Sequence, residues 1–316
     1  MHRVGYLLHP GFQFMTLGTQ SVFEFANYEV RERFYDLALY SPGGGQLRSS
    51  SGVDVVTRPL ASSTQADSWL VSHSVTPLQT SPDPAALALL RRAERHARRI
   101  VGLCTGSFVL AEAGLLKGRR ATTHWAHAAS LRERYPDTLV EEDRIFIVDG
   151  PVWTSAGMSA AFDLCLAMVE KDLGDDVARS VAHSLVMQHR RAGGQTQHSQ
   201  LLQIAPKSDR VQAALDYARA NLKNELNVEE LAAVATLSPR QFSRVFTQET
   251  GVSPARAVEG LRVEAARLMI ERSRHPLEVV ARETGFRDRR HLREVFVRRL
   301  GVPPQSARRA ARGVAG

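Results

Sequence analysis

Residues 98–116 read RRIVGLCTGSFVLAEAGLL. A β-favouring run, RIVGL, leads into a cysteine, and the apolar stretch SFVLAEAGLL follows. This predicts a strand that turns sharply into a helix, with Cys104 on the corner between Gly102 and Gly106. The spacing G-x-C-x-G matches a nucleophile elbow, where small flanking residues permit the tight turn. A thiol at a helix N-terminus feels the helix dipole, which favours the thiolate.

Outward from the elbow, residues 1 to about 190 alternate short β-rich runs with helical ones. The strands are read at RVGYLL, FYDLALYS, VDVVTR, SWLVS, RIVGLC and RIFIVDGPVWTSA. The helices are read at TQSVFEFANYEV, PAALALLRRAERHARR, SFVLAEAGLL, AHAASLRERY, SAAFDLCLAMVEKDLG and DDVARSVAHSLVMQHR. Such alternation predicts an open, mostly parallel sheet with helices on both faces, an α/β doubly wound, flavodoxin-like domain. Ligands of such sheets bind at the carboxyl ends of the strands, and Cys104 lies at one of them.

The totals fit this. A chain of 316 residues suits two domains, and 43% apolar residues is ordinary for a globular protein. The opening MHRVGYLLHPGF reads as a first strand rather than a signal peptide. Two cysteines, Cys104 and Cys165, build no disulfide framework and fit a reducing cytoplasm. No run is apolar enough for a membrane span, and no cofactor or metal motif is read.

The polar segment RAGGQTQHSQLLQIAPKSD marks a change of organisation. Residues 207–316 hold 21 Lys and Arg against 13 Asp and Glu, which is the whole net charge of +8. Residues 1–206 hold 20 of each. A basic domain beside a neutral one points to a polyanion partner. The domains are therefore read as 1–192, a linker at 193–208, an all-α domain at 209–309, and a flexible tail at 310–316.

The basic part contains a repeat. LAAVATLSPRQFSRVFTQETGVSP starts at Leu231 and VARETGFRDRRHLREVFVRRLGVPP at Val280. Phe246 and Phe296 are 50 residues apart, as are Gly251 and Gly301. Ala232 and Ala281 are 49 apart, so the second turn carries one extra residue. Each copy reads as an apolar helix, a short turn and a two-faced second helix. Phe242, Val245 and Phe246 form one buried stripe, and Leu292, Val295 and Phe296 the other. Arg240, Ser243, Arg244 and Thr247 then face outward from the first, with Arg287, Arg289, Arg290 and Arg293 at the second. Ser238 before Pro239 is a good N-cap. Two such helix-turn-helix units reach successive major-groove segments about 34 Å apart. Arginine suits them through its planar fork.

SPRQFSRVFTQETGVSP, LRVEAARLMI and the second repeat resemble the AraC/XylS family of bacterial transcription regulators over residues 210–309. The resemblance implies seven helices with two helix-turn-helix units. It implies base contacts from Arg240, Ser243 and Arg244, and from the region of Arg289, Arg290 and Arg293. Glu294 departs from it, at an outward position where many members are basic or polar.

LCTGSFVLAEAGLLKGRRATTHW, VWTSAGMSAAFDLCLAMVEKDLG and RRAGGQ resemble the ThiJ/PfpI, class I glutamine-amidotransferase-like superfamily. More narrowly they resemble its GlxA-like regulators, which fuse this domain to an AraC-type one. That implies a domain sensing a small molecule such as an amino acid or amine. Enzymes of the superfamily place an acid near the cysteine. Here MTLGTQSVFEFAN has no carboxylate before Glu24, and Ser21 stands where relatives often carry Glu. His73 and Ser74 replace a Gly-Gly loop and point polar groups toward the cleft.

The reading is a DNA-binding transcription regulator of the cytoplasm, not an enzyme. Its ligand contacts are expected from Cys104, Thr105, His124 and His73. Trp69, Phe12, Phe14 and Trp125 are further lining candidates, for each of which core packing is the simpler account. Expected partners are double-stranded promoter DNA, a small-molecule effector, RNA polymerase and a second copy joined through the N-domain. One alternative is a cysteine-dependent amidase or hydrolase with a DNA-binding tail, for which Glu24 and Asp163 are the available acids. Another is an architectural DNA-binding protein.

Overall fold

The computed structural model describes residues 1–187, 191, 193, 197 and 208–313, with the backbone only at 272 and 310–313. Contacts divide them into two compact units, one up to Gln197 and one from Ser208. Most of the linker read at 193–208 lies outside the described residues.

The first unit is built on eight strands: β1 (His2–Leu7), β2 (Tyr35–Ser41), β3 (Gly45–Arg48), β4 (Asp54–Pro59), β5 (Ser68–Val71), β6 (Arg99–Leu103), β9 (Phe146–Asp149) and β10 (Val152–Ser155). Two short strands, β7 (Arg120–Ala121) and β8 (Leu139–Val140), pair separately. The sheet order is β3-β4-β2-β1-β5-β6-β10-β9. The pairings from β4 through β10 are parallel, and the two edge strands are antiparallel. This is the doubly wound sheet expected. The run RIFIVDGPVWTSA, read as one strand, is a hairpin: Val152 pairs with Asp149 across a turn at Gly150, whose φ is +59°. The turn signal Asp-Gly-Pro was present in the sequence.

Alternation along the strands sends side chains to two cores. Tyr6, Leu70, Val101 and Leu103 face one side, with α2 (Gln20–Val30), α6 (Met158–Leu173) and α7 (Asp175–Ser184). Leu7, Trp69, Val71 and Ile100 face the other, with α3 (Pro84–Ala93), α4 (Gly106–Glu112) and α5 (Trp125–Arg134). A short helix, α1 (Met15–Gly18), precedes α2. At the amino ends of the strands, buried Arg99 is held by Asp172 at 2.7 Å and lies over the Trp153 ring.

The second unit has seven helices among the described residues: α8 (Asp209–Ala220), α9 (Val228–Val234), α10 (Pro239–Thr250), α11 (Pro254–Arg272), α12 (Leu277–Glu283), α13 (Arg289–Leu300) and α14 (Pro304–Gly313). The tail read from 310 therefore begins inside α14. One core joins α8, α9 and α10 to the first half of α11, through Phe242, Phe246, Ala257 and Leu261. The other joins the second half of α11 to α12 and α13, through Val263, Ile270, Leu292 and Phe296. With 19 residues, α11 is about 28 Å long and carries both cores on one rod. Glu259 on α11 accepts from Arg298 at 2.6 Å and Arg299 at 2.9 Å, fixing the end of α13. No helix among the described residues is long and apolar enough to cross a membrane.

Candidate functional site

The elbow is present, and its glycines explain it. Cys104 has φ +54°, the left-handed region that non-glycine residues rarely adopt. A Cβ on Gly106 would run into the carbonyl oxygen of Val71 on the neighbouring strand. A Cβ on Gly102 would press on the Ser107 amide at 3.0 Å. Only glycine lets α4 start this close to the sheet. Thr123 Oγ1 and Ser107 Oγ both donate to the Cys104 carbonyl at 3.1 Å, and Thr105 Oγ1 donates to the Ser74 carbonyl at 2.8 Å.

The thiol itself is buried, with 4% of its residue surface exposed. Burial pushes its pKa up, opposed by weaker hydrogen bonds from Gln13 and the Thr105 amide. The dipole-favoured thiolate expected from the sequence is thus overruled by desolvation, because burial penalises the charged sulfur. Gln13 is a residue the sequence reading missed. Its Nε2 reaches Sγ at 3.6 Å and Thr105 Oγ1 at 3.1 Å, from the loop before α1. A carboxamide stands beside the thiol, then, and not an acid. Glu24 is exposed on α2. Asp163 is buried and accepts from the Arg191 amide at 2.7 Å and Nε at 2.8 Å. Among the described residues neither carboxylate bonds to Cys104.

His124 caps α5, its Nδ1 accepting from the Ala126 amide at 3.3 Å. Among the described residues no hydrogen bond joins it to Cys104, though its neighbour Thr123 bonds to the Cys104 carbonyl. His73 is turned away from open space. Its Nδ1 lies 2.7 Å from His9 Nε2, and its Nε2 donates to the Thr80 carbonyl at 3.1 Å. Donation from Nε2 leaves Nδ1 an acceptor, so His9 donates across the pair. Burial first, then the His9 ring, lower the His73 pKa to about 4, and burial lowers that of His9. Burial thus favours the neutral form of both rings. His9, His73 and Cys104 follow β1, β5 and β6, and the chain reverses its winding between β1 and β5, where such folds bind ligands.

The aromatic candidates do not converge. Trp69 packs in one core, its ring against Gly5, and Phe12 lies in the other core. Phe14 and Trp125 are exposed.

In the helical unit both turns are confirmed. Ser238 caps α10 through a reciprocal box with Gln241, and Gly251 ends it at φ +73°. Asp288 caps α13 through the His291 amide at 2.7 Å, and Gly301 ends it at φ +70°. Thr236 and Gly285 occupy the same left-handed turn position, 49 residues apart, while the caps are 50 apart. The extra residue is therefore Arg287. Arg240, Arg244 and Thr247 are exposed on α10, and Ser243 is half-buried. On α13 Arg289 is paired with Glu278 at 3.0 Å and Arg290 with Glu294 at 2.9 Å, with Arg287 on Asp288 at 3.3 Å. Among the described residues Arg240, Arg244 and Arg293 have no such acid partner.

A doubly wound α/β unit and a double helix-turn-helix unit define a DNA-binding regulator. Residues 29–171 match the DJ-1/PfpI family, and residues 231–310 match the helix-turn-helix domain family. The chain is 30% identical to the HTH-type transcriptional regulator GlxA of Rhizobium meliloti (strain 1021), over 98% of this chain and 96% of the relative. It is 30% identical to the HTH-type transcriptional regulator CdhR of Pseudomonas aeruginosa (strain PAO1), over 96% of this chain and 90% of the relative. Among solved structures, an AraC family transcriptional regulator from Pseudomonas putida superposes with a TM-score of 0.53 at 25% identity, covering 58% of this chain and all of that one. The chain belongs to the GlxA-like HTH-type transcriptional regulators, which join a DJ-1/PfpI domain to an AraC-type DNA-binding domain.

Proposed function

We propose that the α/β unit is a non-catalytic sensor for a small amino acid or amine. It binds its ligand at the strand ends, against Gln13, Cys104, Thr105 and His124, with His73 and His9 forming the wall behind. Arg240, Ser243, Arg244 and Thr247 read bases, and Arg287, Arg289, Arg290 and Arg293 hold the second groove segment. The regulator works in the cytoplasm as a dimer joined through residues 1–192, and contacts RNA polymerase. Ligand binding shifts the chain between arrangements for which the ligand has different affinities, since otherwise nothing shifts.

One observation carries the sensor reading. The elbow thiol is buried, burial raises its pKa, and the Gln13 carboxamide faces it. A nucleophilic cysteine needs a base oriented by a third group. The left-handed backbone at Cys104 keeps the hydrolase reading in view, because that strain typifies nucleophile elbows. The deciding experiment is a thermal-shift screen of amino acids and amines, with wild type and Cys104→Ser. A sensor gives a saturable shift with wild type and no product from the shifting compound. Turnover of that compound by wild type and not by Cys104→Ser overturns the reading.

A further inference from the structure

The chain leaving the α/β unit is fastened back onto it at three described points. Arg191 donates to buried Asp163 from its amide and guanidinium, and its Nη2 reaches Ser159 at 3.1 Å. Gly193 is buried, and a Cβ there would lie 2.5 Å from the Phe146 carbonyl oxygen. Gln197 then places its carboxamide in a notch of backbone groups. Its Oε1 accepts from the Trp125 amide at 2.8 Å. Its Nε2 lies 2.7 Å from the carbonyls of Thr123 and Glu142, and 3.1 Å from that of Arg144 and from Thr122 Oγ1.

Among the described residues the notch has one donor for an amide oxygen and several acceptors for an amide NH2. It is shaped for a primary carboxamide, and the chain supplies one itself. It also adjoins the elbow. Thr123 holds Gln197 through its carbonyl and Cys104 through its hydroxyl. Trp125 and Thr123, which both touch Gln197, flank His124.

We propose that Gln197 is a positioning residue that couples the elbow cleft to the DNA-binding unit by seating and unseating in this carboxamide notch. The coupling rests on the sensor reading above. A ligand pressing on Cys104 or His124 moves Thr123 and Trp125, which line one side of the notch. By linkage, seating changes the elbow by the same factor as the elbow changes seating.

The test uses the full chain, wild type, Gln197→Ala and Gln197→Glu. Glutamate sets a carboxylate against three carbonyl oxygens and keeps no NH2 to donate, so it unseats the segment. Amide exchange at Trp125, followed by NMR, is expected to quicken about tenfold in both variants, the effect of one lost hydrogen bond. Alkylation of Cys104 by iodoacetamide, mapped by peptide, should change at least threefold. Affinity for a duplex selected from a random pool by wild type should change at least fivefold, with melting and circular dichroism retained. Unchanged Trp125 exchange shows the notch empty in solution and overturns the proposal. Quickened exchange with Cys104 rate and operator affinity both within twofold makes Gln197 a fastening only, and also overturns it. Should wild type select no sequence at all, the regulator reading fails instead, and the Trp125 and Cys104 readouts still decide the seat.

Discussion

The two helix-turn-helix turns share a left-handed position, filled by Thr236 in the first and Gly285 in the second, which gives substitutions of opposite sign. Thr236 has φ +56° and Gly285 φ +75°. After each, the next amide bonds back, Leu237 to Ala232 at 3.0 Å and Phe286 to Ala281 at 2.8 Å. A side chain in the left-handed region costs about 1–2 kcal/mol. Glycine's extra freedom in the unfolded chain offsets about 0.5–1 kcal/mol of any relief. Thr236 is exposed, and its hydroxyl bond to the Ala235 carbonyl is one that water replaces. Thr236→Gly should therefore stabilise the helical unit by about 0.5–1 kcal/mol. At Gly285 a Cβ would strike the Leu222 carbonyl and come within 2.7 Å of Arg262 Nε. Those two groups bond to each other at 3.2 Å, tying the turn after α8 to α11. Gly285→Ala adds a backbone clash to the left-handed cost, about 3 kcal/mol or more in sum. For a unit of roughly 100 residues that is a Tm gain of a few degrees for the first and a loss beyond about 12 °C for the second. Thermal and urea melts of the full chain, followed by circular dichroism, read both. Should Gly285→Ala melt within 2 °C of wild type, the packing of the second turn against Leu222 is wrong.

The DNA-reading assignment predicts that Arg244→Ala weakens operator binding by about 1–3 kcal/mol with the α/β unit still folded, by titration at fixed salt. Unchanged affinity refutes the assignment of α10. On α13, Glu294→Gln frees Arg290 from its partner. It should steepen the slope of log K against log salt by about one if Arg290 then takes a phosphate, and an unaltered slope refutes that. Cys104 should alkylate slowly at pH 7–8, with an inflection above the free-thiol value of about 8.5, because burial raises its pKa. An inflection well below that value restores the hydrolase reading. The His73 pKa, lowered from 6.5 to about 4, sets a stability window. The unfolded state takes up this proton first, so the contribution is complete above 6.5 and is lost as pH falls toward 4. The loss is about 3 kcal/mol. His73→Gln should flatten the acid limb of urea unfolding between pH 6.5 and 4, and a limb unchanged by that substitution argues against the buried neutral pair.

What the sequence disclosed and what it withheld divide along one physical line. The two-faced helices α10 and α13 were legible because a helix face repeats every three or four residues. Phe242 and Phe246 announce the buried side, and Arg240 and Arg244 follow from it. The turns were legible too, Ser238, Gly251 and Gly301 being local signals; even the extra residue, Arg287, showed as a break in a spacing of 49 against 50. The elbow was legible because Gly106 must clear Val71, a demand of the parallel sheet on one position. The cleft was not. Gln13 meets Cys104 from 91 residues away, and Gln197 meets Trp125 from 72. Neither lies on a periodic face, and each arrives on a loop whose course the sheet order sets. His124 and His73 were correctly placed at strand ends, but their ring partners, Ala126 and His9, came from the same local turn and from a different strand. Strand-end sites gather single residues from separate loops, while helix faces gather them from one element. The helical half of this regulator was therefore open to sequence reasoning, and the surroundings of Cys104 in the α/β half needed the sheet to be assembled first.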